Sequence, residues 1–370
     1  MKTIYPDTVS GIVNRVTGSP FNYQAWPTVC QDENGTLYAV ASGFRVRHVC
    51  PFGKTVMYIS RDRGNTWTPP IIINDTYLDD RDAGILYLGR GKMLISWFTR
   101  NPQEYRTPRY EALMALTHPM IAGALPSIIE NVDTLPPEQR RGASYVRLSR
   151  DYGVTWEAPV ELPITAPHGP TLCADGSLIY LGREHGPTGP LADKTKHYRV
   201  KLLRSRDEGK TWTEESVFPE PDWLQPGEKL CEPHVLELPD GRLLGAVRLE
   251  KPQPYTILTA YSEDGGKSWT EPARTDVSGA PPHLLRHSSG ALICTYGRRE
   301  LPYGQRAMVS YDEGKTWAEE YVLTENTVAR DLGYGSTVEL ADGSLLSVYY
   351  EKFPGDEHAS ILYTKWALKP

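Results

Sequence analysis

Three kinds of side chain in this 370-residue sequence are able to do chemistry: acids and a tyrosine that open apolar segments, histidines beside them, and arginines that close the segments that follow. Glu232, Asp82 and Asp331 open three such segments and Tyr334 stands at one of them. Hydrolysis of a glycosidic bond normally uses paired carboxylates, one as acid and one as base or nucleophile. A tyrosine serves as nucleophile when a neighbouring base takes its proton, which makes Tyr334 an alternative attacking group. For Glu232, structural pairing with Arg248 is as good an explanation as catalysis. His48, in the loop Arg45-Val-Arg-His-Val-Cys-Pro-Phe-Gly-Lys54, is a candidate general acid or base. His168, His234 and His283 fall near the same segment starts. Glu232 and His234 are two apart and so share one side of a strand, but strict metal-ligand spacing is missing. No metal and no cofactor is expected.

The arginines recur by position. Arg45, Arg100, Arg183, Arg248 and Arg298 lie seven to ten residues past successive turn glycines, and Glu351 takes that place in the last segment. Strand side chains alternate between faces and these offsets are both odd and even, so about three are expected to reach a common point. Arg81, next to Asp82, and Arg47, next to His48, add to the set. A guanidinium binds carboxylate through two parallel hydrogen bonds, so such a cluster suits an acidic sugar or another carboxylate ligand.

What brings these residues together is a repeat. The frame Ser-x-Asp-x-Gly-x-[Thr/Ser]-Trp occurs at Ser60–Trp67, Ser149–Trp156, Ser205–Trp212, Ser262–Trp269 and Ser310–Trp317. Each copy combines side chains that bond their own backbone, a Gly suited to positive φ and an aromatic anchor, which together make a turn clasp. A second signal, a glycine turn between two apolar runs, occurs six times, at Gly35, Gly91, Gly176, Gly241, Gly290 and Gly343. Six hairpins with a clasp between the outer strands predict an all-β, six-bladed propeller of four-stranded antiparallel blades, forming one domain over 1–370. The blades are expected at 20–76, 77–163, 164–226, 227–277, 278–326 and 327–370. The last has no clasp, and residues 1–19 are expected to supply its outermost strand and so close the ring. Inner strands of a propeller line its axis, so the residues opening them converge.

Blade two is overlong. Within 107–142, Tyr110–Leu116 and Met120–Leu125 read as short helical pieces, followed by a charged, proline-rich stretch. An insertion of this length is read as a packing cap, a homo-oligomer contact or a lid over a pocket.

A net charge of −6 gives no basic footprint, so nucleic acid is not an expected partner. Five scattered cysteines without a Cys-x-x-Cys pair read as reduced core residues. No apolar run approaches the roughly 18 residues of a membrane span, and the amino terminus lacks a signal-like apolar stretch. The chain therefore reads as cytoplasmic, or as secreted or periplasmic if a signal has been trimmed.

With five Asp-containing clasps on six predicted blades, the chain resembles the sialidase superfamily. The resemblance implies that Glu232, opening a strand sixteen residues before the carboxylate-binding Arg248, activates Tyr334 as nucleophile, with Glu351 closing the last hairpin. Two family positions differ. The Arg-Ile-Pro motif that supplies the first arginine is here Ala25-Trp26-Pro27, and the acid/base Asp after the first hairpin is replaced by a loop holding Arg45, Arg47 and His48. The third arginine falls among Arg298, Arg299 and Arg306. The expected activity is an exo-acting, sialidase-like glycosidase on a terminal acidic sugar. A hydrolase or lyase on a uronic-acid-linked sugar with histidine acid/base chemistry, and a non-catalytic glycan-binding propeller, are the alternatives.

Overall fold

The computed structural model describes residues 1–116, 118–186, 196–250 and 254–369. Six antiparallel sheets radiate around one axis, as the repeat predicts. Blade one shows the pattern: Tyr23–Gln31 lies at the axis, followed outward by Leu37–Arg45, Lys54–Ser60 and Ile71–Asn74. The other inner strands are Asp79–Gly89, Thr171–Leu172, Lys229–Glu237, Ala280–Arg286 and Gly333–Glu339. Val9–Asn14 pairs with Ser360–Trp366 and supplies the outer strand of blade six, closing the ring as expected. Ahead of it Lys2–Ile4, a strand with no signature in the sequence, pairs in parallel with Glu319–Val322 and adds a fifth strand to blade five.

Each blade buries both of its faces, so the apolar core is a set of slabs between neighbouring blades. Leu37, Ala39, Val56 and Tyr58 of blade one meet Leu346, Val348 and Ile361 of blade six, while Tyr38, Val40 and Met57 meet Ile85, Met93 and Ile95 of blade two. Alternating positions of the same strands thus enter different slabs.

The clasps hold these slabs in register. In the last copy Asp312 accepts hydrogen bonds from the Thr316 amide and hydroxyl at 2.8 and 2.7 Å, and the Ser310 hydroxyl takes the Gly314 amide at 2.8 Å. A side chain on Gly314 would lie 2.9 Å from the Tyr261 hydroxyl and 3.0 Å from Leu244 of the preceding blade. Gly64 and Leu346, Gly209 and Leu94, and Gly266 and Leu202 repeat this contact. The clasp glycine is thus the point where one blade leans on the last. Gly314 also has φ +86°, so Gly314→Ala is expected to destabilise the fold by about 2 kcal/mol, read as a lower urea midpoint with unchanged slope.

The insertion is helical over Pro108–Ala115, Pro119–Thr134 and Pro137–Arg140. Its second helix continues through Pro126, past the expected end at Leu125. Ile121, Leu125, Ile129 and Val132 form one buried stripe, and packing of that stripe outweighs the bond that Pro126 removes. The helices cover Val46 and Cys50, in the loop that carries His48.

Candidate active site

Five inner strands lose register near their starts, between Ala25 and Thr28, Arg81 and Gly84, Cys231 and His234, Ala280 and His283, and Gly333 and Ser336. At four of these bulges one residue takes a left-handed backbone: Trp26 (φ 58°), Asp82 (46°), Glu232 (51°) and Tyr334 (54°). Each stands two places before the residue that resumes pairing, so the four occupy equivalent positions around the axis. Such a conformation costs an ordinary residue roughly 1–2 kcal/mol, and it recurs where structure is held for function.

Tyr334 and Glu232 meet across the axis, the phenol donating to Glu232 Oε1 at 2.7 Å. Arg248 Nη1 donates to the other carboxylate oxygen at 2.5 Å, and its Nη2 lies 3.2 Å from Glu250. Burial pushes Glu232 upward, but Arg248, the Tyr334 hydrogen bond and Arg299 together hold it below the usual carboxylate range. Tyr334 is pushed well above an ordinary phenol, by burial first and then by the charges of Glu232 and Asp82. In the resting site the proton therefore belongs to the tyrosine.

Arg299 lies 5.8 Å from the Tyr334 ring centre and donates to the Leu332 carbonyl at 3.1 Å. It has no carboxylate within salt-bridge distance among the described residues, whereas Arg248 has two.

Asp82 faces a cleft of about 200 Å³ that Glu232, Arg100, Arg183 and His185 also line. Its Oδ1 is buried without a hydrogen-bond partner, and Arg81 Nε is 3.9 Å away. Burial raises Asp82 to about 6, with Glu232 adding to the rise and Arg81 opposing it. Arg81 itself lies over the Trp26 ring at 4.2 Å and donates to the His48 carbonyl at 3.1 Å.

Arg45 does not replace the arginine missing at Ala25. It is fully buried and bound to Asp79 through both terminal nitrogens, at 2.6 and 3.1 Å. Tyr105, which lies just before the insertion and packs against its helices, donates to the same carboxylate, as does Arg81, so the root of the insertion, blade one and blade two are tied at Asp79. Arg47 is half-buried near His358, whose protonation its charge disfavours.

His48 belongs to a second hub. Asp331 accepts from Tyr23 at 2.8 Å and from Tyr350 at 2.9 Å. Since the Tyr23 proton goes to Asp331, His48 Nδ1 is the donor to Tyr23 at 2.9 Å and to Asp331 at 3.3 Å. Nε2 is then the basic nitrogen of the ring. Burial alone would raise Asp331, but hydrogen bonds from His48, Tyr23 and Tyr350 hold it below the usual range.

The remaining expected residues lie elsewhere. Arg298 turns to the Leu301 carbonyl at 3.5 Å, and Arg306 is buried against Glu325 and the Thr324 carbonyl, both at 2.5 Å. Glu351 is buried with Gln305 and Thr324, lining a separate cavity of about 410 Å³. Burial raises it to about 7. His168, His234 and His283 cluster deeper along the axis. Among the described residues no group of His, Cys, Asp and Glu has metal-holding geometry, and no helix is long and apolar enough to cross a membrane.

Residues 132–345 match the family model described as a BNR repeat-like domain. No curated protein sequence matches the chain. Among solved structures, a Dyadobacter fermentans protein of unknown function is similar at TM-score 0.77 and 22% identity, covering 97% of this chain and 98% of that one. The NanB sialidase of Streptococcus pneumoniae follows at TM-score 0.67 and 13% identity, covering 96% and 70%. An α-L-arabinanase of Penicillium chrysogenum has TM-score 0.62 and 15% identity, covering 98% and 99%. At these identities the likeness is one of fold, the six-bladed propeller. With its family match spanning more than half its length, the chain belongs to the BNR repeat-like domain family.

Proposed function

We propose that the protein is an exo-acting retaining glycosidase for a terminal acidic sugar, with Tyr334 as nucleophile, Glu232 as its base and Asp82 as acid/base. The observation that carries this reading is the phenol at 2.7 Å from a carboxylate that Arg248 holds by its other oxygen. The solved neighbours that are a sialidase and an arabinanase add support from fold alone. As the phenol oxygen attacks the anomeric carbon, its proton passes to Glu232, and Asp82 gives its own proton to the departing glycosidic oxygen. Water then attacks the tyrosyl glycoside, losing a proton to the Asp82 carboxylate, while the leaving phenolate recovers its proton from Glu232. A neutral phenol approaches an anionic sugar with less repulsion than a carboxylate nucleophile would.

Arg299 is assigned the sugar's acidic group, because its charge has no carboxylate partner in the described protein. Arg299→Ala is therefore expected to raise KM for an acidic glycoside about tenfold or more while lowering kcat less, as loss of a charge-assisted pair requires. A neutral glycoside should show no such selective loss.

The pH profile follows from the two carboxyls. Asp82 must carry a proton to act as acid, and its raised value of about 6 means kcat/KM falls as pH climbs above 6. Glu232 must be ionised, and its lowered value keeps the base competent well into acid. The optimum is thus expected below pH 6, and Asp82→Asn should abolish the alkaline limb along with most activity toward poor leaving groups.

The deciding experiment is a panel of 4-methylumbelliferyl glycosides, acidic (N-acetylneuraminide, glucuronide, galacturonide) and neutral (arabinoside, rhamnoside). Proton NMR should follow the first-formed anomer. Turnover of an acidic member with retention is expected; an inverted product, or turnover of neutral members only, overturns the reading.

A second reading is favoured by the basic Nε2 of His48. On a uronate, that nitrogen would take the C5 proton beside the carboxyl, the C–H electrons would form the C4–C5 double bond as the C4–O bond breaks, and the imidazolium would give its proton to the departing sugar oxygen, leaving an unsaturated uronate. Ultraviolet absorbance of such a product, lost in His48→Ala and kept in Tyr334→Phe, would select this chemistry over the first.

A further inference from the structure

We propose that the far end of the propeller axis carries a second ligand site, built on His168, His234 and His283, for an uncharged, hydroxyl-bearing ring of monosaccharide size. The inner strands run the same way along the axis. Trp26, Asp82, Glu232 and Tyr334 lie toward their starts, whereas Gln31, Leu236, Leu285 and Glu339 lie toward their ends. Those end residues line an open cavity of about 370 Å³ whose inner part is formed by the three imidazoles. It shares none of its lining residues with the cleft of Asp82 and Glu232.

The histidines reach the axis because blades two and three close together beneath the mouth. A side chain on Gly84 would stand 2.5 Å from the Gly169 amide nitrogen, beside His168. The His234 and His283 rings then stack at 4.8 Å, and His168 stands edge-on to both, at 5.9 and 4.9 Å.

Hydrogen bonding fixes what two of these rings offer. The Leu284 amide donates to His234 Nδ1 at 3.0 Å and the Thr337 amide to His283 Nδ1 at 3.3 Å. Burial lowers His234 to about 4, and burial with the neighbouring His234 and His168 holds His283 well below its ordinary value, so both rings are neutral, with their single proton on Nε2. Each has its Nδ1 lone pair occupied and an N–H as its remaining polar group, which disfavours a metal ion, since ligation needs a lone pair. His168 Nε2 is buried and meets no partner among the described residues. An unmet polar atom at such depth normally has a ligand or an ordered water. The nearby hydroxyls are already engaged: Thr171 donates to the Val235 carbonyl at 2.6 Å, and Thr337 pairs with Ser347 at 2.7 Å.

The walls set the ligand's charge. Among the described residues no Lys or Arg lines the cavity, and the one carboxylate there, Glu339, accepts from the Ser288 amide and hydroxyl. An anion would find no countercharge. Val29, Leu236, Leu285 and Val338 supply apolar walls, and apolar walls around a few convergent polar groups suit a neutral small molecule with hydroxyls at one edge.

The test uses the full chain labelled with ¹⁵N-histidine. Imidazole nitrogens are followed by long-range ¹H–¹⁵N spectra during titration with D-galactose and L-arabinose, with sodium acetate and zinc chloride as controls. Saturable shifts of the His168, His234 and His283 signals by at least one sugar are expected, unchanged in Tyr334→Phe, so that failure of the catalytic reading leaves this result standing. Leu285→Trp or Val338→Trp, each filling the cavity, should weaken the response by about tenfold or more, equivalent to about 1.4 kcal/mol. The proposal is overturned if neither sugar moves these signals, if acetate or zinc moves them and the sugars do not, or if the response survives in both folded tryptophan variants.

Discussion

Tyr334→Phe is expected to leave the fold intact and to lower kcat on an acidic glycoside by roughly a thousandfold or more, with little change in KM, because only the attacking oxygen is removed. Glu232→Gln should lower kcat comparably, since the amide cannot take the phenol's proton, and should also raise KM through loss of the partner that positions Arg248. The double variant is expected to be scarcely worse than either single one, because the two act as a unit. Thermal melts should show Tyr334→Phe folded and only modestly below the parent, since a hydrogen bond to an ionised carboxylate is worth about 2 kcal/mol. Undiminished turnover in Tyr334→Phe would remove the nucleophile from the scheme and leave the His48 chemistry as the account of the site.

Asp79→Ala is the change expected to affect stability most. The carboxylate is wholly buried and receives Arg45, Arg81 and Tyr105. Arg45 is held protonated against the cost of its burial chiefly by this partner. Its removal leaves two guanidinium groups in the interior beside the Trp26 ring, and breaking a buried pair in this way costs roughly 3–5 kcal/mol. The expected result is a large drop in the urea midpoint, with the insertion becoming protease-sensitive first because Tyr105, against which its helices pack, loses its anchor. Tyr105→Phe removes a single donor to a charged group and should cost about 2 kcal/mol, a smaller loss that separates the ion pair from the phenol.

The architecture was legible because it is written in short-range chemistry. Each clasp closes on its own backbone and each hairpin turns at a glycine, so counting them counts the blades. Glu232, Arg248 and Tyr334 were legible as members of the mouth for a related reason: hairpin length sets which residues share a height on the axis. Arg299 is not distinguishable in the sequence from Arg298 and Arg306, because adjacent strand residues point to opposite sides and only the register settles a one-residue ambiguity. Arg45 stood at the right height and had a different task, since its partner Asp79 comes from the next blade and nothing in the sequence pairs them. Tyr23 and Tyr350 carry no signal in the sequence, because a tyrosine inside an apolar strand looks like core. The parallel strand Lys2–Ile4 is three residues long, too short for periodicity to show.

The left-handed bulge residues carry a consequence for how such a protein changes its chemistry. Trp26, Asp82, Glu232 and Tyr334 sit in equivalent sockets whose unusual backbone is imposed by the loss and resumption of strand pairing, and not by the side chain each one holds. An indole, two acids and a phenol are accepted there by the same local geometry. Substitution in one socket therefore exchanges a reactive group without rebuilding a loop, and the arginine absent beside Trp26 need not have entailed any refolding of the blade. The axis behaves as an interchangeable toolholder, in which a new specificity is a matter of single codons.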